Sequence, residues 1–200
     1  MIIGLTGTYC AGKNHIALIF EKRGFPVLDV DKLGYKVIEF AKQDIINRFG
    51  EDILKSDLTI DRRLLGAKVF GKPDELAALE AIVHPAVNSL TSEWIEEQQG
   101  RPCIINAALL HRSSAFSMLD ALIIAEAPYL TRLLRARKRD KLPFKELIKR
   151  FASQKEFPSQ YFPKKADIYR VENRGYFGFP MFGKKLEERI NEVLSDLGLS

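Results

Sequence analysis

The chain has 200 residues, of which 46% are hydrophobic and 28% are charged, a composition typical of a globular protein rather than a disordered one. No apolar run approaches the ~20 residues that span a bilayer, the N-terminus lacks a secretory pattern, and two cysteines cannot form a disulfide scaffold, so we expect a cytoplasmic protein without a membrane partner. The net charge is +5, but residues 130–165 hold twelve Lys and Arg against three Asp and Glu, a net +9 that leaves −4 elsewhere and argues against a general nucleic-acid surface.

The first predicted elements are a strand, a loop bounded by glycines, and a helix. The apolar segment Met1–Thr6 predicts a buried strand, and Ile16–Phe20 can continue as a helix. Between them lies Gly7-Thr8-Tyr9-Cys10-Ala11-Gly12-Lys13-Asn14, with the spacing of a phosphate loop, G-x-x-x-x-G-K-[ST]. A purely structural turn is the alternative, but the flanking strand and helix favour phosphate binding by backbone N–H groups and Lys13.

The rest of the chain continues this alternation. Further buried strands are predicted at Phe25–Val30, Cys103–Ala107, Ala121–Ala125 and Asp167–Val171. A last helix, 182–197, places Leu186, Ile190, Val193, Leu194 and Leu197 at helical spacing, which indicates core positions. Strands that alternate with helices predict an α/β fold with a five-stranded parallel sheet flanked by helices in three layers.

Two insertions interrupt the sheet. The first, residues 31–100, is too long for a simple crossover and predicts a small helical subdomain. Its helices are predicted at Lys32–Phe49, Asp61–Phe70 and Asp74–Gln98. The second, residues 140–165, combines three prolines with many cations. That composition is consistent with a lid over a polyanionic ligand.

Two carboxylates follow the second predicted strand. Because ligands bind at the carboxyl ends of parallel strands, Asp29 and Asp31 are expected beside the phosphate loop. If the extended backbone persists, their side chains face the same way. Such a carboxylate can accept a proton from an attacking hydroxyl or hold the water shell of a metal, or it can simply cap the next helix. Position alone does not decide between these roles.

Motifs along nearly the whole chain resemble those of the dephospho-CoA kinase family. The segments that carry the resemblance are Ile2–Gly7, Gly24–Asp31, Asp61–Gly66 with Val69-Phe70, Leu79–Pro85, Lys138–Asp140, Arg150–Gln154, Ala166–Ile168 and Asn173–Gly175. The Asp-x-Asp and His-Pro elements, in this order behind the phosphate loop, are more specific than the loop alone.

The resemblance implies a single P-loop kinase domain, 1–200, that phosphorylates the ribose 3′-hydroxyl of dephospho-CoA with ATP and Mg²⁺. Its nucleotide-binding core corresponds to residues 1–30, 101–139 and 166–200. The helical insertion 31–100 corresponds to the CoA-binding part, and 140–165 to the lid. Small molecules are then the expected partners, with no nucleic acid, and we expect a monomer.

The resemblance also suggests site residues. Asp31 matches the carboxylate that acts as base, and it is predicted to be catalytic together with Lys13 and Arg139. The predicted ATP-binding residues are Thr8, Cys10, Ala11, Gly12, Lys13, Asn14, His15, Arg139 and Asn173. The predicted substrate-binding residues are Asp29, Asp31 and His84. Two of these have structural alternatives: His84, before Pro85, can mark a helix boundary, and Asn173 can serve a turn.

Three arginines of one predicted helix and a cysteine of the phosphate loop also have expected properties. The spacing of Arg132, Arg135 and Arg139 places all three on one helical face, which can present them toward phosphates. Arg139, at the border of the lid, is the best candidate to stabilise the transferred phosphoryl group, whereas we expect Arg132 to lie on a solvated face. Cys10, beside Lys13 at a helix N-terminus, is expected to have an unusually acidic thiol.

Three departures from the family pattern concern the metal and the third strand. Asn14 and His15 replace the usual Ser-Thr pair, so Asn14 becomes the candidate Mg²⁺ ligand through its amide oxygen. Ala108–Arg112 replaces Pro-Leu-Leu-x-Glu, and Asn106, not an aspartate, ends the third strand. A nucleotide-binding protein with impaired kinase activity, or a kinase for another small molecule or nucleoside, therefore stays an alternative.

Overall fold

Strands and helices alternate along the chain. The computed structural model describes residues 1–152, 166–175 and 180–199. The strands in these residues are β1 (Ile2–Gly7), β2 (Val27–Asp29), β3 (Cys103–Asn106), β4 (Ala121–Glu126) and β5 (Asp167–Glu172). The helices in the same residues are α1 (Lys13–Lys22), α2 (Val30–Phe40), α3 (Lys42–Phe49), α4 (Arg62–Val69), α5 (Pro73–Glu97), α6 (Tyr129–Asp140), α7 (Phe144–Ala152) and α8 (Pro180–Asp196).

The strands form one parallel sheet in the order β2-β3-β1-β4-β5. The central strand β1 pairs with β3 from Ile2↔Cys103 onward and with β4 from Ile3↔Ala121 onward, and β4 pairs with β5. Strands β3 and β4 are buried along almost their whole length, which explains their near-continuous apolar sequences. The five predicted strands and the α/β fold class are confirmed, but the edge strands β2 and β5 are only partly buried, contrary to the expectation of buried strands.

The sheet packs against α1 and α8. Buried residues of this core are Ile3, Leu5, Ile16, Phe20, Ile104, Ile123, Val171, Leu186, Ile190, Val193 and Leu194. The apolar positions predicted for the last helix thus lie in the core, with Leu197 partly buried beside them. Burial of such side chains supplies about 1.5–3 kcal/mol each, so this cluster fixes the strand ends from which the phosphate loop begins.

The condition that an extended backbone persists from Asp29 to Asp31 is not met. Strand β3 lies between β1 and β2, so β2 is an edge strand of the sheet. The backbone turns helical at Val30. Asp31 therefore lies in the first turn of α2, and its side chain does not alternate with that of Asp29 along an extended strand.

The chain divides into two compact units, one formed by residues 1–28 with 98–200 and the other by residues 29–97. The second unit is helical and contains α2 to α5. Its buried core consists of Val37, Ile45, Phe49, Ile53, Ile60, Leu65, Val69, Val83 and Val87. The single helix predicted over Lys32–Phe49 is two helices that meet at Ala41.

Helix α5 continues through Pro85, so His84 does not mark a helix boundary. A proline inside a helix removes one backbone hydrogen bond. Here Val83 and Val87, on either side of Pro85, are both packed into the core of the helical unit. Burial of these side chains stabilises α5 and offsets the loss of the backbone hydrogen bond at Pro85.

Helices α6 and α7 pack on each other in the first unit. Ala136 of α6 is buried with Leu147 and Phe151 of α7, and Tyr9 and Cys10 of the phosphate loop pack against this cluster. Helix α7 belongs to the predicted lid, whereas residues 153–165 of that segment lie outside the described residues. Over the described ranges, no helix is both long enough and apolar enough to cross a membrane.

Candidate active site

The phosphate loop connects the end of β1 to the start of α1. The backbone N–H of Ala11 donates to Thr8 O at 2.9 Å, and the N–H of Thr8 donates to Ala125 O of the neighbouring strand at 3.3 Å. Gly12 has the left-handed backbone conformation, with φ at 95°. A Cβ at Gly12 would overlap the side-chain nitrogen of Asn173, so both the backbone and the packing require glycine here.

The N-terminus of α1 is open to an anion. No side chain among the described residues caps it, and its first turn carries no acidic residue. The first N–H groups of a helix lack carbonyl partners within the helix, and the helix dipole places partial positive charge there. Together with the loop spacing, this end of α1 is suited to phosphate oxygens.

A chain of three polar side chains joins the loop to the end of β3. Lys13 Nζ donates to Asn106 Oδ1 at 3.0 Å, and Asn106 Nδ2 donates to Asn14 Oδ1 at 3.2 Å. Asn106 is buried, with 1% of its surface exposed. Because the ammonium of Lys13 can only donate, it fixes which end of the Asn106 amide faces it, and the other end then faces Asn14.

The donor set near the loop suits Mg²⁺ only partly. Over the residues that the structure describes, no group of three or more His, Cys, Asp or Glu side chains could hold a metal ion. Mg²⁺ in kinase sites is held largely by substrate phosphates and water, with one or two protein oxygens. Asn14 Oδ1 is such an oxygen, but it is neutral and already accepts one hydrogen bond from Asn106.

Arg135 of α6 contacts the outer side of the phosphate loop. Its Nη1 donates to Ala11 O at 2.9 Å and to Cys10 O at 3.2 Å, and its Nη2 donates to Asn173 O and Asn173 Oδ1, both at 3.1 Å, and to Gly175 O. In a trans peptide the carbonyl and the next N–H point in opposite directions. By holding Ala11 O, Arg135 therefore directs the N–H of Gly12 away from itself.

Asn173 follows the last strand and is buried, with 5% exposed. Its N–H donates to Glu126 O at 2.7 Å, and its side-chain oxygen accepts from Arg135. These bonds, with the close approach of its amide to Gly12, give Asn173 a structural role in the loop. The predicted contact with adenine stays a prediction.

Arg139 lies one turn further along α6, in a charged cluster. Its Nε donates to Asp140 Oδ1 at 2.7 Å, and its guanidinium lies 5.1 Å from the centre of the Tyr9 ring. Tyr9 Oη also donates to Asp140, and Arg150 Nη1 lies 3.6 Å from the same carboxylate. Arg139 holds the pKa of Asp140 below its ordinary value. The cluster therefore joins the loop, α6 and α7.

The expectation that Arg132 lies on a solvated face was wrong. Its guanidinium lies 5.0 Å from the centre of the Phe151 ring and 6.0 Å from that of Tyr129. Its Nε is buried and, over the described residues, makes no hydrogen bond, and burial lowers the pKa of the group. The pattern of α6 alone could not reveal this, because α7 covers the helix only in the folded chain.

The expectation of an acidic Cys10 thiol was also wrong. Burial raises the pKa of Cys10 above its ordinary value of 9.0, although Arg139, Arg135 and Arg132 act in the opposite direction. The residue packs against the cluster formed by α6 and α7. Desolvation of the thiolate thus outweighs the nearby cations.

In the helical unit, the three predicted substrate residues lie on two helices. Asp29 caps α2, because its Oδ1 accepts from the N–H of Lys32 at 3.0 Å, and its Oδ2 lies 3.3 Å from Lys32 Nζ. Asp31 is half-buried in the first turn of α2, and His84 is half-buried in the middle of α5. The capping alternative thus holds for Asp29, while the roles of Asp31 and His84 stay predictions.

The segment that departs from the family pattern after β3 forms a 3₁₀ turn, Leu110–Arg112. Leu110 is fully buried, whereas Arg112 is exposed. Burial and the neighbouring cation Arg112 lower the pKa of His111. The spacing of Arg132, Arg135 and Arg139 predicted that Arg135 could face phosphates, but its contacts with the loop carbonyls of Cys10 and Ala11 were not predicted.

The sequence model of the dephospho-CoA kinase family, CoaE, matches residues 1–173. A dephospho-CoA kinase from Treponema denticola is 34% identical over 183 residues, which cover 86% of this chain and 82% of that protein. A second, from Shouchella clausii, is 35% identical over 181 residues and covers 88% and 90%. The crystal structure of TT1252 from Thermus thermophilus has a TM-score of 0.80 and 29% identity over 98% of this chain and 97% of that one. These matches confirm the resemblance: the chain belongs to the dephospho-CoA kinase family.

Proposed function

We propose that the protein transfers the γ-phosphoryl group of ATP to the ribose 3′-hydroxyl of dephospho-CoA, giving CoA and ADP. The observation that carries the proposal is the open, uncapped N-terminus of α1 behind Lys13, in a chain that belongs to a family of ATP-dependent phosphotransferases. The motifs for both substrates, Gly7–Asn14 and Asp29–Asp31, occur in the same chain.

The phosphate loop would bind the β- and γ-phosphates. Phosphoryl transfer depends mainly on positioning and on electrostatic stabilisation of the equatorial oxygens. Lys13 supplies a point charge whose direction Asn106 restrains. Arg135 fixes the outer carbonyls of the loop, so that the N–H of Gly12 stays directed away from the guanidinium and available to phosphate.

Asp31 would act as the general base. A carboxylate can accept the proton of the 3′-hydroxyl as that oxygen attacks the γ-phosphorus, while the bond from phosphorus to the ADP oxygen breaks. Asp29, in contrast, caps α2 by accepting from the N–H of Lys32, and Asp31 lies in the first turn of that helix. The two carboxylates of the Asp-x-Asp motif are thus proposed to differ in role.

Arg139 would stabilise charge on the transferred group. In the structure its guanidinium is paired with Asp140, and it lies 59% exposed at the surface of α6. Turning the guanidinium toward phosphate would exchange one anionic partner for another. Mg²⁺, when bound, neutralises charge on the β- and γ-oxygens, and Asn14 is the protein residue proposed to contact it.

The test is release of ADP by purified protein with ATP, Mg²⁺ and dephospho-CoA. We expect ADP release that requires dephospho-CoA and is absent when CoA, whose 3′-hydroxyl is already phosphorylated, replaces it. Lys13→Ala and Asp31→Asn should each reduce the rate strongly. Equal rates with and without dephospho-CoA would contradict the proposed acceptor.

Asn14 and Asn106 support one alternative, a protein that binds ATP with little or no transfer. Both positions carry neutral amides that bond each other, where a hydroxyl and a carboxylate are usual for P-loop enzymes. Binding of ATP without turnover under the conditions above would favour this alternative. The presence of both Lys13 and Asp31 favours the active kinase.

A further inference from the structure

Asp140 is the last residue of α6, and its carboxylate receives donors from three parts of the chain. Arg139 donates from the same helix, with Nε 2.7 Å from Oδ1 and Nη2 3.1 Å from Oδ2. Tyr9 of the phosphate loop donates through its hydroxyl, and Nη1 of Arg150 in α7 lies 3.6 Å from Oδ2. The side chain of Asp140 is only 16% exposed, so water can replace few of these contacts.

The position of Asp140 is unfavourable for a carboxylate unless donors compensate for it. The C-terminal end of a helix carries partial negative charge, which repels a carboxylate in the last turn. Helix α6 ends at Asp140, and the next residue, Lys141, already has a left-handed backbone with φ at 51°. The hydrogen bonds from Arg139 and, to a lesser degree, from Tyr9 hold the pKa of Asp140 below its ordinary value, against the opposing effect of burial. The ionised carboxylate is therefore shared between these two donors.

Packing fixes the ring of Tyr9 independently of its hydroxyl. The ring meets that of Phe151 edge to face, with 5.3 Å between the ring centres, and the guanidinium of Arg139 lies 5.1 Å from its centre. The preceding residue, Thr8, ties the loop to β4 through its N–H. The substitution Tyr9→Phe would keep the ring and lose the hydrogen bond to Asp140, so the hydroxyl can be tested by itself.

Arg139 has to exchange partners if it is to reach a phosphoryl group. In the structure its guanidinium is bound to Asp140, and in the proposed transfer it contacts oxygens of the γ-phosphoryl group instead. A carboxylate that is little exposed and loses its donor costs free energy. The hydroxyl of Tyr9 and the guanidinium of Arg150 can stay with Asp140 during the exchange. A second donor also weakens the hold of the carboxylate on Arg139, because the donors share its negative charge.

We propose that Tyr9 is a positioning residue for Arg139: its hydroxyl holds Asp140, so that Arg139 can leave that carboxylate for the transferred phosphoryl group. Tyr9 acts without contact to the reacting atoms, and no covalent bond to it forms or breaks. The inference rests on the proposed function, because it takes Arg139 as the group that stabilises the transferred phosphoryl.

Tyr9→Phe tests the hydroxyl, with kcat measured by ADP release at saturating ATP and dephospho-CoA and the Kd for ATP measured by titration calorimetry. We expect kcat to fall about fivefold to tenfold, since a hydrogen bond to a charged group is lost at the exchange step. The Kd for ATP should stay within about twofold, because the backbone of the phosphate loop is unchanged. Tyr129→Phe is the matched control, since it removes a hydroxyl beside the same Phe151 ring, and it should retain the parent kcat.

Two double variants test whether Tyr9 acts through Arg139 and Asp140. Tyr9→Phe introduced into Arg139→Ala should change kcat by less than about twofold, because the group that Tyr9 positions is absent. Tyr9→Phe combined with Asp140→Asn should recover most of the lost rate, since a neutral amide holds Arg139 more weakly than a carboxylate does. A purely structural contribution of Tyr9 would instead add to the effect of both other substitutions. Thermal unfolding of each variant shows whether the fold is intact.

Equal kcat values for Tyr9→Phe and Tyr129→Phe would overturn the inference while leaving the proposed function standing. A loss of the same size in the parent and in the Arg139→Ala background would overturn it as well, because Tyr9 would then act independently of Arg139. Absence of ADP release by the parent protein with dephospho-CoA would contradict the proposed function itself, and the inference with it.

Discussion

The phosphate loop and the exposed face of α2, which carries Lys36 and Phe40, hold their side chains in opposite ways. At the loop, Lys13 donates to the buried Asn106, and Arg135 donates to Ala11 O. On the exposed face of α2, Lys36 and Phe40 face solvent, while the other face of the helix packs into the core of the helical unit. Substitutions at the loop should therefore change structure and chemistry together, whereas substitutions on the exposed face of α2 should leave the fold unchanged.

The largest effect is expected for Asp31→Asn. Loss of a general base lowers kcat by about 10²–10⁴-fold, while the Kd for ATP should stay unchanged because the phosphate loop is untouched. Steady-state rates and ATP titration measure both quantities. Asp44→Asn, an exposed aspartate of α3, serves as the control, and an equal loss in this control would contradict a special role for Asp31.

Arg135→Gln should affect both stability and ATP binding. Removing the guanidinium leaves the carbonyls of Cys10 and Ala11 without its hydrogen bonds, which we expect to lower the free energy of unfolding by about 2–4 kcal/mol. The Kd for ATP should rise about tenfold. Chemical denaturation and ATP titration test this, with Arg137→Gln, an exposed residue of the same helix, expected within about 0.5 kcal/mol of the parent. Unchanged ATP affinity in Arg135→Gln would refute its role in positioning the loop.

Asn14→Ser should change the response to Mg²⁺ more than the rate at saturation. A serine hydroxyl is the metal ligand usual for phosphate loops, whereas the amide oxygen of Asn14 already accepts a hydrogen bond from Asn106. We expect the Mg²⁺ concentration for half-maximal activity to fall about threefold or more, which is close to 0.7 kcal/mol. The same titration monitored through ATP binding gives a readout independent of turnover. An identical Mg²⁺ dependence in both proteins would show that Asn14 is not a direct ligand.

The smallest effect concerns the thiol of Cys10. Its raised pKa means that the folded state favours the neutral thiol. The resulting stability is fully present below the ordinary value of 9.0 and is lost as the pH rises through the folded pKa. Alkylation at pH 8 should therefore be slower than that of a free cysteine, and it should accelerate above pH 9. Cys10→Ser leaves only the buried Cys103 and should label hardly at all; faster labelling of Cys10 than of free cysteine would contradict the assignment.

The strands and the phosphate loop could be predicted because their signals are local. Buried parallel strands appear as apolar runs, and the loop has a fixed spacing. The contacts of Arg135 could not be predicted, because its acceptors in the loop, Cys10 O and Ala11 O, lie 125 and 124 residues away along the chain. The errors on Arg132 and Cys10 have the same origin, since α7 buries both in a cluster that no sequence pattern reveals. The sequence could not distinguish the capping residue Asp29 from Asp31, because the difference depends on the backbone becoming helical at Val30.

Identification of the product tests the proposed kinase activity most directly. Dephospho-CoA is incubated with ATP, Mg²⁺ and the parent protein, and the product is analysed by mass spectrometry and phosphorus NMR. We expect a gain of one phosphate, seen as a new phosphomonoester coupled to the ribose 3′ proton. Unmodified dephospho-CoA in a sample that binds ATP, or a phosphate at any other hydroxyl, would contradict it.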